Sequence, residues 1–353
     1  MNTNNKPLSV LRIGLIYTGC LVGAGFASGR EAWQFFGVFG KWGYAGVIVA
    51  TLLYIGVGLM TVDIAHRKNT ADISALINPI DNKALNTFVG VMMCFFLLVA
   101  YVALTAAGGA LLESKTGLSH AAGSLLICLL CIITALGGFS SISDKAGKIS
   151  PVLVVGTLVL GIYLIATHTD AVSHLEPHRT SKVASHWLTA VIGYVGYNAS
   201  AAVPVLGQCA MHSDSRKRSE NGAILGGIIL GTCTLILFLS TSTDPALSGQ
   251  SSFPMMDLCE RVFPALGKVY AVLLLLAIFM TQTTVFYGFT TKLGDRKNSK
   301  AIAWAVGLAG YVCSLYGYYN FVANIVPIVG YVSLAFFGLE IINLIKVKRK
   351  QSF

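Results

Sequence analysis

Charge is what this sequence has least of. Only 11% of its 353 residues are charged, against roughly a quarter in soluble domains. The 25 Lys and Arg and 15 Asp and Glu cannot dress a core of this size in a polar shell. With 55% hydrophobic residues and a mean hydropathy of +0.71, a water-soluble globule is excluded. The 37 glycines follow no strict three-residue period, and apolar residues dominate, so collagen-like and disordered classes fall away. Zinc-hydrolase HExxH, serine-hydrolase GxSxG and P-loop GxxxxGK[ST] signatures are absent, so neither an enzyme of those kinds nor direct nucleotide drive is expected. The eight cysteines give no disulfide framework. Cys259 alone falls in a polar loop, and the Cys128/Cys131 pair sits in the middle of the run LLICLLCII, where small buried hydrophobes are the default. No cleavable signal peptide is evident, because the first apolar stretch continues past its usual length.

What remains is an all-α, polytopic membrane protein whose partner is the lipid bilayer. The net charge of +10 does not point to nucleic acid, since its basic residues stand in short groups between apolar runs, such as Arg216 to Arg218 and Lys346 to Lys350. Ten apolar runs are countable, at about 10–38, 42–65, 84–112, 119–138, 149–168, 183–210, 221–242, 265–291, 300–318 and 321–345. In lipid such runs must be helical, because their backbone groups find no water there. With the amino terminus in the cytoplasm, about 18 Lys and Arg fall on the inner side and about six on the outer. That asymmetry predicts both termini inside, and an even number of spans agrees with it; the membrane expected is a plasma membrane, the bacterial inner membrane.

Two segments do not read as plain spanning helices. In Gly19-Cys20-Leu21-Val22-Gly23-Ala24-Gly25-Phe26-Ala27-Ser28-Gly29-Arg30-Glu31, close-set glycines lead into two adjacent charges inside a span. Either Gly19/Gly23 and Gly25/Gly29 let helices pack closely, or the helix is discontinuous and its exposed backbone binds a ligand. The segment Gly193-Tyr194-Val195-Gly196-Tyr197-Asn198-Ala199-Ser200, followed by Pro204, lies in the sixth run as the first motif lies in the first. There a kinked packing helix is the alternative. Spans one to five occupy about 9–168 and spans six to ten about 183–345, within one transporter domain covering 1–353. Five spans are an odd number, so the second half starts from the opposite side. The pattern is a 5+5 inverted repeat with an interrupted first helix in each half, the arrangement that points to a transporter's binding site.

With these features the sequence resembles the LeuT-fold transporters of the amino acid–polyamine–organocation superfamily. Within that group the GAGFASGRE stretch and its following WQFFG resemble the YkvI-type amino acid permeases. The resemblance implies alternating access around a midplane site formed by spans one, three, six and eight. It implies backbone oxygens of Gly19 and Val22 directed at a sodium ion, with the Met280 carbonyl and the Thr283 and Thr284 hydroxyls completing its ligands. A hard cation takes such oxygens, although adjacent hydroxyls in lipid also bond their own backbone. It also implies a substrate cradle from Gly23, Ala24, Gly25, Phe26, Ala27 and Ser28, with amides of Ala24, Gly25 and Phe26 holding a carboxylate. In the second segment Tyr194, Gly196, Tyr197 and Asn198 would line the substrate side, and Tyr101 would donate to substrate unless it is an aromatic core residue.

Arg30 and Glu31 are adjacent charges deep in a span, where a charge is costly and functional use or pairing is the default. Arg30 is a candidate gate and Glu31 a candidate coupling group; Glu340, Asn320 and Asn324 are candidate partners, with Glu340 expected nearer the inner surface. The expected function is secondary active transport of an amino acid or similar small zwitterion, coupled to sodium ahead of proton and with no other cofactor. The alternative is a membrane receptor or sensor subunit that binds a small ligand without transporting it.

Overall fold

The computed structural model describes residues 7–80, 82–168, 175–177, 186–294, 298–318 and 326–350. Its elements are α1 (Val10–Leu21), α2 (Ala24–Ala27), α3 (Arg30–Phe35), α4 (Trp42–Lys68), α5 (Ile73–Ile77), α6 (Lys83–Thr116), α7 (His120–Leu136), α8 (Gly138–Thr167), α9 (Trp187–Met211), α10 (Arg216–Thr241), α11 (Pro245–Gln250), α12 (Pro254–Val262), α13 (Pro264–Leu293), α14 (Ser299–Ser314) and α15 (Val326–Lys350). No strand occurs among the described residues.

Each of the ten apolar runs carries one of the longer helices, the first run being divided among α1, α2 and α3. The helices α4, α6, α8, α10 and α13 are each long and apolar enough to cross a membrane, and α9 does so as a helix bent by 53° between Asn198 and Ala202. Their outward faces carry exposed Ile48, Leu52, Phe88, Val155, Val159, Val269 and Val272, the side chains that lipid tails solvate. Helix ends follow local chemistry. Asn82 accepts from the amides of Ala84 and Leu85 to open α6, and Gly117, at φ +72°, closes it. Proline stands in the first turn of α11, α12 and α13, where a missing amide costs nothing.

Small residues set the packing. A methyl on Gly222 or Gly226 of α10 would press on Ile13 or Tyr17 of α1, while one on Gly227 or Gly231 would press on Ile55 or Thr51 of α4. Alternate faces of α10 thus bring α1 and α4 to backbone distance. The helix α9 packs on α4, and α13 packs on α6 and α8. Two polar stretches between the apolar runs hold short helices: α5 between α4 and α6, and α11 and α12 between α10 and α13.

The buried carboxylate of Asp63 gathers three helices at one end of the bundle. It receives Arg67 from α4 at 2.6 Å, Arg216 from α10 at 3.1 Å and Lys348 from α15 at 3.9 Å.

Candidate functional site

The first helix breaks where the glycines stand. It leaves helical geometry at Val22, whose amide still reaches the Thr18 carbonyl at 2.9 Å. It re-forms as α2 for one turn and breaks again at Ser28-Gly29, with Gly29 at φ +78°. A side chain there would be strained by that backbone and would meet Met255 Cγ at 2.6 Å and Thr241 Cγ2 at 2.7 Å. Close packing and discontinuity therefore coexist. A methyl on Gly19 would overlap the Ser150 hydroxyl of α8, and one on Gly23 would stand 3.1 Å from Thr281 Cγ2 of α13.

Neighbouring elements hold the break on several sides. The Tyr270 hydroxyl of α13 donates to the Ala27 carbonyl at 2.6 Å, the Met255 amide of α12 donates to the Ser28 carbonyl at 2.8 Å, and the Ser28 hydroxyl turns back to the Gly25 carbonyl at 3.1 Å. Phe26 and Ala27 are buried.

The hydroxyl that meets Gly19 is not one of the two expected. Thr281 Oγ1 donates to the Gly19 carbonyl at 3.2 Å. Thr284 instead bonds back to the Met280 carbonyl at 2.8 Å, the self-satisfied alternative for hydroxyls in lipid. Thr283 is buried on the α7 side, with its hydroxyl against Cys131. Each residue turns a helix by about 100°, so position 283 lies roughly 200° from 281 and cannot share its face. The structure thus sets Thr281 on the Gly19 carbonyl and the buried, unpartnered Ser150 hydroxyl against Gly19, while Thr283 faces α7 and Thr284, one turn from Thr281 on the same side of α13, bonds its own backbone. Ser150 and Thr281 were not singled out by the sequence, because the phase of a helix that is apolar all round is invisible in its pattern.

Tyr101 also turns away from the break. Its hydroxyl donates to the Gly307 carbonyl of α14 at 3.1 Å and lies 3.2 Å from Cys128 Sγ of α7, which matches the aromatic core alternative. Next to it, Gln282 of α13 donates to Thr105 at 2.7 Å.

The second interrupted segment faces the first. Asn198 donates to the Tyr194 carbonyl at 3.0 Å, one turn back, just before the 53° bend. Tyr194 packs its ring on Phe35 at 4.9 Å and edge-on against Phe36 at 5.5 Å. Its hydroxyl faces the Glu31 carboxylate and the hydroxyl of Tyr54. Tyr197 and Tyr318 lie within electrostatic reach of the same carboxylate, and Tyr318 is stacked on Phe253 with ring centres 5.9 Å apart. Glu31 Oε1 stands against Gly25, where an added methyl would collide with it. Gly196 lines a small crevice with Ile77, Met93, Val203, Ser333 and Glu340.

Arg30 and Glu31 do not pair with one another. Arg30 Nη1 donates to the carbonyls of Ser248, Gly249 and Ser251 at 3.0, 2.9 and 3.1 Å. These carbonyls close α11, and a helix C-terminus favours a cation. Glu340 is 2% exposed and accepts from Thr61 of α4 at 2.6 Å; it is not a partner of Arg30. Asn320 and Asn324 lie outside the described residues.

No family model matches the chain. It is 28% identical over 334 residues to the membrane protein YkvI of Bacillus subtilis, covering 94% of each chain. It is 25% identical over 286 residues to YyaD of the same organism, covering 79% of this chain and 80% of that one. Among solved structures, MhsT in complex with L-phenylalanine superposes with a TM-score of 0.71 at 14% identity, over 96% of this chain and 89% of that one. A substrate-bound, outward-open Na+-coupled sialic acid symporter gives 0.64 at 17% identity, over 96% and 79%. Mhp1, a nucleobase-cation-symport-1 family transporter in a closed conformation, gives 0.58 at 16% identity over the same shares. The divided first helix, the bent partner helix facing it and these superpositions agree: the chain is a membrane protein with the LeuT fold, similar in sequence to YkvI over nearly its whole length.

Proposed function

We propose that the chain is a secondary active transporter that moves an amino acid or similar small zwitterion across the membrane by alternating access. The observation that carries this reading is the doubly broken first helix, held between α8, α12 and α13 and facing the bent α9. Exposed backbone at membrane depth is tolerated only where it is buried in protein or lines a cavity, and discontinuous helices of this kind form transporter sites. The likeness to a Na+-coupled symporter and to MhsT holding L-phenylalanine supports it.

Sodium is the coupling ion we favour. The Gly19 carbonyl and the Thr281 and Ser150 hydroxyls are all-oxygen and uncharged, as suits a hard monovalent cation, and the Ser150 hydroxyl, buried without a partner, is an acceptor such an ion would satisfy. When bound, the ion would stabilise the broken conformation of the first helix by neutralising carbonyl dipoles at the end of α1. We place the protein in the plasma membrane with both termini cytoplasmic. The test is uptake of an amino acid and amine panel into proteoliposomes under imposed sodium or proton gradients. Accumulation that follows the sodium gradient is expected. Gradient-independent equilibration removes coupled transport, and tight binding without flux favours a sensor.

A further inference from the structure

Glu31 is an acidic side chain with no ion pair among the described residues. Its neighbour Arg30 is committed to three carbonyls of the α11 segment. A half-buried charge at membrane depth is costly unless a partner of opposite sign completes it. The Tyr194 hydroxyl faces it, and the phenols of Tyr54, Tyr197 and Tyr318 lie within electrostatic reach; phenol oxygens accept from an ammonium group. We propose that Glu31 and these tyrosines form a subsite for a cationic nitrogen, so that the solute is recognised by its ammonium group and needs no carboxylate. The proposal rests on the transport reading only in identifying the bound solute with the transported one.

The position of the carboxylate argues the same way. The resemblance places a substrate carboxylate at the amides of Ala24, Gly25 and Phe26. In this chain Glu31 Oε1 already lies against Gly25, in the space that carboxylate would enter. Two carboxylates so close repel strongly. The chain therefore supplies the anion of the site itself, and the solute supplies the cation. The stacked Phe253 and Tyr318, together with Tyr197, offer apolar walls for a body attached to the ammonium.

The test uses the full-length protein with three probes that share one ring: phenethylammonium, L-phenylalanine and 3-phenylpropionate, alongside an alkylammonium series beginning with methylammonium. Thermal-shift and equilibrium binding should show phenethylammonium binding at least as tightly as phenylalanine, with 3-phenylpropionate without effect. Glu31→Gln should weaken the ammonium probes tenfold or more, while Glu31→Asp retains part of the binding. Unliganded melting and size-exclusion profiles verify that both variants fold. Binding of 3-phenylpropionate in preference to the amine overturns the proposal, as does equal amine affinity in Glu31→Gln, or no response to any ammonium ion. Glu31-dependent amine binding without gradient-driven flux leaves the subsite standing and removes the transport reading. Gradient-driven phenylalanine uptake that ignores Glu31→Gln does the reverse.

Discussion

At the residue scale, the phase of α13 decides which hydroxyls serve a cation. Thr281 reaches the Gly19 carbonyl, whereas Thr283 faces α7 beside Cys131. Thr281→Ala and Ser150→Ala should each raise the sodium concentration for half-maximal uptake by about tenfold, the effect of losing one ligand contact of ~1.4 kcal/mol. Thr283→Ala should leave it within about twofold, since its hydroxyl faces Cys131 of α7 and not the Gly19 carbonyl. A titration of uptake against sodium in the three variants decides this, and equal loss in Thr283→Ala would return the site to the arrangement the resemblance implied. Gly25 is a second discriminating position. Gly25→Ala should disturb ligand binding as much as Glu31→Gln does, because the added methyl takes the place of the carboxylate. Equilibrium binding of the same ammonium probe to both variants checks it. The glycine-rich break and the Arg30-Glu31 dipeptide were legible in the sequence because glycine clusters and intramembrane charges are rare. The direction in which Thr283 or Tyr101 points was not, since it depends on the rotation of helices that are apolar on every side.

At the element scale, the short helices α5, α11 and α12 decide how the ends of the site are held. On one side Arg30 fastens α11 over the first break, and the Ser28 carbonyl receives the amide that opens α12. Arg30→Ala should loosen this cap, and the buried Cys259 of α12 reports it. Even one charge-assisted hydrogen bond of about 1.5 kcal/mol is worth roughly tenfold in an opening equilibrium. Labelling of Cys259 by an impermeant maleimide, read by mass spectrometry, should therefore accelerate about tenfold, and an unchanged rate would deny Arg30 a gating role. On the other side, α5 is tied to three helices. Lys68 of α4 donates to the Ala75 and Asn78 carbonyls, Asn343 of α15 to those of Ala75 and Leu76, and Lys292 of α13 pairs with Asp72 at 2.5 Å. Burial disfavours ionised Asp72, yet the bond to Lys292 and the α5 amides outweigh it and hold its carboxyl below the ordinary carboxylate range. A depressed folded value means the latch contributes fully above the unfolded carboxylate range and is lost as pH falls through the lower folded value. Because Asp72 is half exposed, the contribution is at most about 1 kcal/mol. The melting difference between wild type and Asp72→Asn should be constant from neutral pH down to the carboxylate range and shrink only below it; a difference that grows on acidification contradicts the assignment. The helices α5 and α11 are too short, at five and six residues, for periodicity to separate them from loop; α12 does carry Met255, Leu258, Cys259 and Val262 at helical spacing, but for little more than two turns.

At the scale of the whole molecule, packing repeats between the halves. The helix α1 lies on α10, and α9 lies on α4. Counting spans from each half's start, the first span of one half packs on the second span of the other, in both directions. Such reciprocal pairing is what a 5+5 repeat produces, and it supports the two-halved reading reached from the positions of the two interruptions. If the halves are inverted, the segments before α1 and after α15 lie on one side and the polar stretch between α8 and α9 lies on the other. The basic residues choose which side. Lys348, Arg67 and Arg216 converge on Asp63 at one end of the bundle, the end that also carries the Lys and Arg expected to face the cytoplasm. The two arguments are independent, one from parity of spans and one from charge. A fluorescent protein fused after residue 353 should therefore fluoresce in a bacterial cytoplasm, and alkaline phosphatase fused within residues 169–185 should be active in the periplasm. Active phosphatase at both positions would require an even number of crossings between them, and would break the inverted repeat. Active fluorescence at both would do the same, whereas exchange of the two signals would keep the repeat and reverse only the orientation drawn from charge.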